Sequence, residues 1–282
     1  MLQSCCTSYL SIFLIGFSTS ISTIISPFVI NVLECILIEK ERKVKNLYFV
    51  LSDPHGCYRE LKEILTFWKP QKQTLVLLGD IIDRGPSSLE CLRLIMQLRE
   101  KGNVITVGGN HEQLLCEWLE MQGNESFYYL EIFNQTIKSF FPDITDVLQK
   151  YTKEKIADNL RTMYQAELSF IKGMVTYYET DQLLFVHGGC NLKPDWKKEA
   201  ERDCKWIRQP FISGENETGK TIIFGHTPTE NMHPVKSNDI WISPCGTKIG
   251  IDGSCVYGGQ LNAIVISESG KLMNTYSVKK KG

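Results

Sequence analysis

Leu47-Tyr48-Phe49-Val50-Leu51-Ser52-Asp53-Pro54-His55-Gly56 is the stretch on which the fold turns. Five apolar residues in a row read as a strand buried on both faces, and the run stops at once in a polar turn. The device returns twice: Thr74 to Leu78 runs into Gly79-Asp80-Ile81-Ile82-Asp83-Arg84-Gly85, and Val104 to Val107 into Gly108-Gly109-Asn110-His111-Glu112. Helical spacing lies between the strands. Tyr58, Leu61, Ile64 and Leu65 share a face, and Ser87 and Ser88 offer a cap for a helix through Arg99 that turns Leu89, Leu92, Ile95, Met96 and Leu98 inward. Three strands that each discharge polar residues at their carboxyl ends predict an α/β sheet that holds its ligands there.

Beyond this unit, Gln113 to Lys172 reads as helical, with breaks near Gly123-Asn124 and Pro142-Asp143, and predicts a cap of several helices beside the sheet. Its aromatic clusters, Phe127-Tyr128-Tyr129 and Phe140-Phe141, read as core rather than as a nucleotide platform. Strands then resume at Val175–Tyr178, Leu183–Val186, Thr221–Phe224, Lys248–Ile251, Leu261–Ser267 and Lys271–Val278, the last two joined by a Glu268-Ser269-Gly270 turn. Two of them end in the same way as the first three, in His187-Gly188-Gly189 and in Gly225-His226-Thr227-Pro228.

Length and charge set bounds on this reading. The chain has 282 residues with a net charge of -1, which fits one large α/β domain and offers no Lys/Arg surplus for a nucleic-acid backbone. Its 10 cysteines show no paired spacing and read as reduced thiols of a cytosolic protein, Cys57 among them as a packing residue. Residues 1–45 stand apart. No acidic or basic side chain precedes Glu34, the apolar run at 9–38 is long enough to span a bilayer, and Lys40, Arg42, Lys43 and Lys45 follow it. Either this segment anchors a cytoplasmic catalytic domain to a membrane, or the start codon lies upstream of the true one; both readings begin the catalytic domain at residue 46.

The polar turns carry the chemistry. Asp53 and His55, two residues apart on leaving a strand, can grip one cation with a carboxylate and an imidazole. Asp80 and Asp83 put two carboxylates and the Arg84 guanidinium on one loop, and such a pair repels unless cations lie between. Asn110 and His111 diverge, so that one is free to bind metal and the other to face a substrate. A lone histidine after a strand is most often a satisfied polar residue. Here four of 5 histidines fall in that position, three of them beside Gly or Pro and His111 two residues after Gly109, and only His233 reads as structural.

The order and wording of these motifs resemble the phosphoprotein-phosphatase family of calcineurin-like metallophosphoesterases, in its bacterial branch of Ser/Thr protein phosphatases and diadenosine tetraphosphatases. Asp53 to Gly56, Gly79 to Gly85, Gly109 to Glu112, His187 to Gly189 and Gly225 to Pro228 carry the resemblance, with Trp206-Ile207-Arg208 and Ile251-Asp252-Gly253 followed by Val256 to Leu261 in support. Ser52 stands where the family has Gly. The resemblance implies an α/β/β/α four-layer sandwich over residues 46–282, with a helical cap insertion at about 113–172. It also implies two divalent metal ions, one held by Asp53, His55 and Asp83, the other by Asp83, Asn110, His187 and His226, with Asp83 and a hydroxide bridging. The hydroxide would attack phosphorus in line, His111 held by Asp80 would protonate the leaving oxygen, and Arg84, Asn110 and Arg208 would bind the substrate phosphate. Manganese is favoured by the relatives, and iron or zinc also suits the N/O ligand set.

Three functions compete. Gly109 to Glu112 favours a Ser/Thr protein phosphatase acting on a phosphoprotein. His55-Gly56-Cys57-Tyr58 with Glu60-Leu61, and Asp83 to Pro86, also resemble the symmetrical diadenosine tetraphosphate hydrolases, whose substrate is a dinucleotide. A metal-bound interaction module without catalysis is disfavoured, because Asp80, His111, Arg84 and Arg208 would then have no purpose. Arg208 has a plainer alternative as the partner of an acid in the Glu199-Glu201-Asp203 cluster.

Overall fold

Strand β1 (Leu47–Leu51) alternates its side chains between two hydrophobic layers, which is why its sequence shows no polar face. Tyr48 and Val50 point to one side and pack with residues of a second sheet, while Phe49 and Leu51 point to the other and pack under helices. In this computed structural model residues 47–121, 127–143 and 147–281 are described. Residues 1–45, and with them the apolar run at 9–38, lie outside that range, as does the break expected near Gly123-Asn124. No described helix is long and apolar enough to cross a membrane.

The chain continues through α1 (Tyr58–Ile64), β2 (Gln73–Leu77), α2 (Ser88–Lys101), β3 (Val104–Thr106) and α3 (Asn110–Glu120). Helices α4 (Phe127–Phe140), α5 (Val147–Lys150), α6 (Lys153–Met163) and α7 (Gln165–Lys172) follow. Next come β4 (Tyr177–Glu179), β5 (Leu183–Val186), α8 (Ala200–Trp206), β6 (Thr221–Phe224), β7 (Trp241–Ile242), β8 (Lys248–Gly250), β9 (Gln260–Ser267) and β10 (Leu272–Lys279).

One sheet has the order β10-β9-β1-β2-β3, the other β4-β5-β6-β8-β7. In the first, β1, β2 and β3 run parallel; in the second, β5, β6 and β8 do. Val50, Val76, Ile264 and Ile266 of one sheet meet Phe185, Ile223 and Ile249 of the other in a dry layer. Helices α1, α2 and the insertion cover the outer face of the first sheet, and α8 covers the second through Ala200 and Cys204. The four layers of the expected sandwich are present.

Some local expectations need correction. Ser87 occupies the N-cap of α2 without a side-chain bond to the helix, and the Ser88 hydroxyl instead accepts the Asp83 N–H at 3.0 Å. Strand β7 and helix α8 were not anticipated: two residues carry no periodicity, and the acidic cluster at 199–203 masks a short helix. The insertion helices extend the outer layer, with Ile137, Phe140, Ile156, Leu160 and Leu168 buried in the same core as α2.

Candidate active site and metal centre

Six loops leave parallel strands at the same edge of the two sheets. Eight described residues other than glycine have positive φ, and six of them are Asp53, His55, Asp80, Asp83, Arg84 and His226. Such backbone costs on the order of 1–3 kcal/mol per residue and persists only where its surroundings hold it. Here the Asp53, His55 and Gly56 N–H groups donate to the carbonyls of Gly79, Asp80 and Ile81 at 2.9–3.2 Å, tying the first loop to the second. Glu112 fixes the second loop in turn, its buried carboxylate accepting from the N–H of Asp80 (2.9 Å), Ile81 (2.7 Å) and Gly109 (2.9 Å). Two glycines are required by close approach. A Cβ on Gly109 would lie 2.1 Å from Asp80 Oδ1, and one on Gly225 would lie 2.1 Å from Asp53 Oδ2.

Electron pairs converge in the middle. His187 donates through Nδ1 to the Leu78 carbonyl at 2.6 Å, which leaves Nε2 a lone pair. That atom lies 3.0 Å from Asn110 Oδ1, 3.2 Å from His226 Nδ1 and 3.3 Å from Asp80 Oδ1. His55 is oriented in the same way by Ile82, at 2.8 Å, and its Nε2 faces Asp80 Oδ2 at 3.4 Å. His226 Nε2 is buried with no hydrogen-bond partner. Asp53 accepts the backbone N–H of His226 at 3.0 and 3.2 Å.

Charge follows from this geometry. Burial opposes ionisation of Asp80, but the surrounding histidines hold its carboxyl well below the usual range. Burial likewise opposes charge on His187, and Asp80 and Asp53 overcome it and raise the imidazole to about 9. Burial, with Arg84 adding to it, pushes His55 down to about 3. Asp53 is raised by burial and by the Asp252 carboxylate behind it. Two groups of three, His55-Asp80-His111 and Asp80-His187-His226, each bring their donor atoms within 4.8 Å of one another. Lone pairs aimed at lone pairs in a buried space fit cations, and Asp80 belongs to both groups.

The carboxylates are placed differently from the ligand set implied by the sequence. There Asp83 bridges the metals and Asp80 holds His111; in the structure Asp80 lies among the histidines and Asp83 Oδ2 meets His111 Nδ1 at 2.7 Å. Position along the loop is the reason. Asp80 comes three residues after β2, at the strand mouth, whereas the buried Ile81 and Ile82 carry Asp83 outward toward α3 and α4. There Thr136 of α4 accepts the Asp83 N–H at 2.9 Å and donates its hydroxyl to Asp83 Oδ1. His111 is raised, its burial outweighed by Asp80 and Asp83.

The arginines lie at the rim. Arg84 donates to His55 Nε2, and Arg208 Nη2 donates to the His226 carbonyl at 3.1 Å, not to the acidic cluster, whose Glu199 and Asp203 pair with Arg202. His233 stays out of the site, with Nε2 on the Asp239 carbonyl at 3.1 Å. Thr136, the loop-fixing role of Glu112, and the place of Asp252 beside Asp53 escaped the sequence reading. That place could have been found, since Ile251-Asp252-Gly253 repeats the strand-then-polar-turn device. Thr136, in an insertion without motifs, gave no signal.

Two sheets that meet at one ligand-lined edge, with Asp80 shared by two histidine groups, define a metallophosphoesterase. Residues 48–266 match the calcineurin-like phosphoesterase family, and the chain belongs to it. It is therefore a phosphoester hydrolase. Among curated relatives, a bis(5'-nucleosyl)-tetraphosphatase PrpE [asymmetrical] of Bacillus velezensis is 28% identical over 239 residues, covering 78% of this chain and 89% of the relative. A solved structure titled a putative diadenosine tetraphosphatase aligns with TM-score 0.53 and 18% identity over 84% of this chain and 95% of its own. A protein serine/threonine phosphatase from Saccharomyces cerevisiae aligns with TM-score 0.51 and 13% identity over 84% and 80%. Both structures share the fold.

Proposed function

We propose that the chain hydrolyses dinucleoside tetraphosphates asymmetrically, by a metal-dependent attack on one phosphoanhydride phosphorus. One observation carries this reading: the similarity to an enzyme named for that reaction runs through 89% of the relative's length. The second reading, a Ser/Thr protein phosphatase, rests on the Gly109 to Glu112 motif.

Asn110, His187, His226 and Asp80 would hold one cation, and Asp53, His55 and Asp80 the other. Manganese, iron or zinc suits this thiolate-free set, with manganese preferred. Two such cations lower the pKa of a shared water and stabilise charge developing at phosphorus. The chain's own groups do the rest. Asp83 accepts the Nδ1–H of His111 and orients the ring. Nε2, 3.9 Å from Asp80, is then the atom that delivers a proton to the leaving phosphate. Arg84 and Arg208 offer planar forks for phosphate oxygens, and Asn110 adds an amide.

Steady-state cleavage of diadenosine tetraphosphate and of a phosphothreonine peptide, both with manganese, tests the reading. Higher kcat/KM on the dinucleotide with AMP and ATP as products supports it. Two ADP molecules would instead mean symmetrical cleavage, and faster turnover of the peptide would return the protein-phosphatase reading.

A further inference from the structure

Tyr257 is 69% exposed, yet the turn that carries it is held by backbone hydrogen bonds. The single 3-10 turn Cys255–Tyr257 is bracketed by Ser254 at φ 56° and Gly258 at φ 93°, both left-handed. Tyr257 N donates to the Ser254 carbonyl at 3.0 Å, Gly258 N to that of Cys255 at 3.1 Å, and Gly259 N to that of Ser254 at 3.1 Å. Ser254 N in turn donates to Asp252 Oδ1 at 2.9 Å, and Asp252 stands behind Asp53. Below the turn, the buried Cys255 packs with Cys57, two residues beyond His55. The turn is thus fastened to the site at two points and carries an aromatic ring into solvent.

The ring meets the site through Arg84, whose guanidinium carbon lies 5.5 Å from its centroid. The same guanidinium reaches His55 Nε2. One side chain therefore joins the ring to the phosphate-binding edge. Trp206, 38% exposed, is another aromatic at this edge, but its indole N–H is spent on Gln113 at 3.2 Å and its ring stands edge-on to His226. Tyr257 has a free face. An open ring held rigidly beside a phosphate-binding arginine suits a ligand with a planar aromatic group a short distance from its phosphates.

We infer that Tyr257 is a specificity-determining residue that stacks on a nucleobase of the substrate while Arg84 holds the adjoining phosphates. This rests on the dinucleotide reading of the site. Stacking on an exposed ring is tolerant of which base is offered, because every base has a π-face, so adenine and guanine dinucleotides should be accepted alike.

The test compares wild type, Tyr257→Ala and Tyr257→Phe on diadenosine tetraphosphate and on inorganic tripolyphosphate, which has the anhydrides without the bases. Tyr257→Ala should lower the ratio of kcat/KM for the dinucleotide to that for tripolyphosphate by about tenfold, mostly through KM, and Tyr257→Phe should restore it. An unchanged ratio in Tyr257→Ala would overturn the inference alone, whether both activities hold or both fall together as from a structural role. A wild type that leaves the dinucleotide intact while cleaving other phosphoesters would overturn the dinucleotide reading and this inference with it.

Discussion

The two halves of the site share Asp80 but satisfy their histidines differently. On the first sheet, the lone pair of His55 receives a hydrogen bond from Arg84, and burial keeps the ring neutral down to about pH 3. On the second, the lone pair of His187 meets Asn110, His226 and Asp80 and the ring is drawn up to about 9, while burial and the neighbouring His187 hold His226 well below the ordinary range. The first half carries a positive charge of its own, on a side chain that can swing away to a phosphate. The second half must take one from outside, as a proton or a cation. The expectation is a more firmly held cation at Asn110, His187 and His226, and a more exchangeable one at Asp53 and His55.

The broadest way to break this contrast is to remove the residue that both halves share. Asp80→Asn should lose cations from both, measured by metal analysis after gel filtration, and lower kcat/KM on the order of 10⁵-fold. Loss from one half only would mean that Asp80 is not shared. Asp83→Asn, by contrast, should keep both cations and damage turnover alone. His111→Asn should lower kcat by about 10³-fold, inside the range for positioned proton transfer, with KM and metal content little changed. A fall in bound metal in His111→Asn would make it a ligand of the first half instead.

The contrast also has a pH signature. In chelator-treated protein His187 should carry a proton that it lacks when unfolded at neutral pH. Its folded value of about 9 lies above the ordinary 6.5. A raised pKa contributes stability that is fully present below pH 6.5 and is lost as pH rises through 9. The loss should total about 3 kcal/mol at most. A cation held by His187 would engage the Nε2 lone pair, so metal-loaded protein should lack this slope. Thermal unfolding from pH 6.5 to 9, with and without chelator, decides it: parallel curves would show that His187 is not where the proton resides.

What could be read from the sequence was whatever local chemistry marks. Asp53, His55, Asn110, His187 and His226 each follow an apolar run and sit beside Gly or Pro, and the structure brings all five to one edge. The α/β character of the first unit and the strands of the second were legible for the same reason, since strands buried on both faces read as unbroken apolar runs. Asp80 and Asp83 were not separable. Both are carboxylates on one loop, and which points inward depends on the burial of Ile81 and Ile82, a tertiary fact. The insertion was legible as helix but not in its placement, because amphipathic helices do not say which face of which layer receives them. Thr136 lies 53 residues from the carboxylate that it holds, with nothing beside it to mark it.

Thr136 gives the smallest effect, and it tests whether the insertion serves the site or only the core. Its hydroxyl accepts the Asp83 N–H and donates to Asp83 Oδ1, while Asp83 Oδ2 holds His111. Thr136→Val keeps the shape and removes both bonds, together with the 3.0 Å hydrogen bond between the Thr136 and Ser88 hydroxyls. It leaves a carboxylate oxygen short of a donor, and the Asp83 N–H retains Ser88. The cost in stability should be about 1–3 kcal/mol. In the proposed site Asp83 orients the proton donor and binds neither cation, so kcat should fall about tenfold with metal content unchanged, as for other groups that orient a site at one remove. Thr136→Ser, which returns the hydroxyl, should restore kcat. If Thr136→Val loses stability but not kcat, the insertion acts through packing alone, and Asp83 is held well enough by Ser88 and His111.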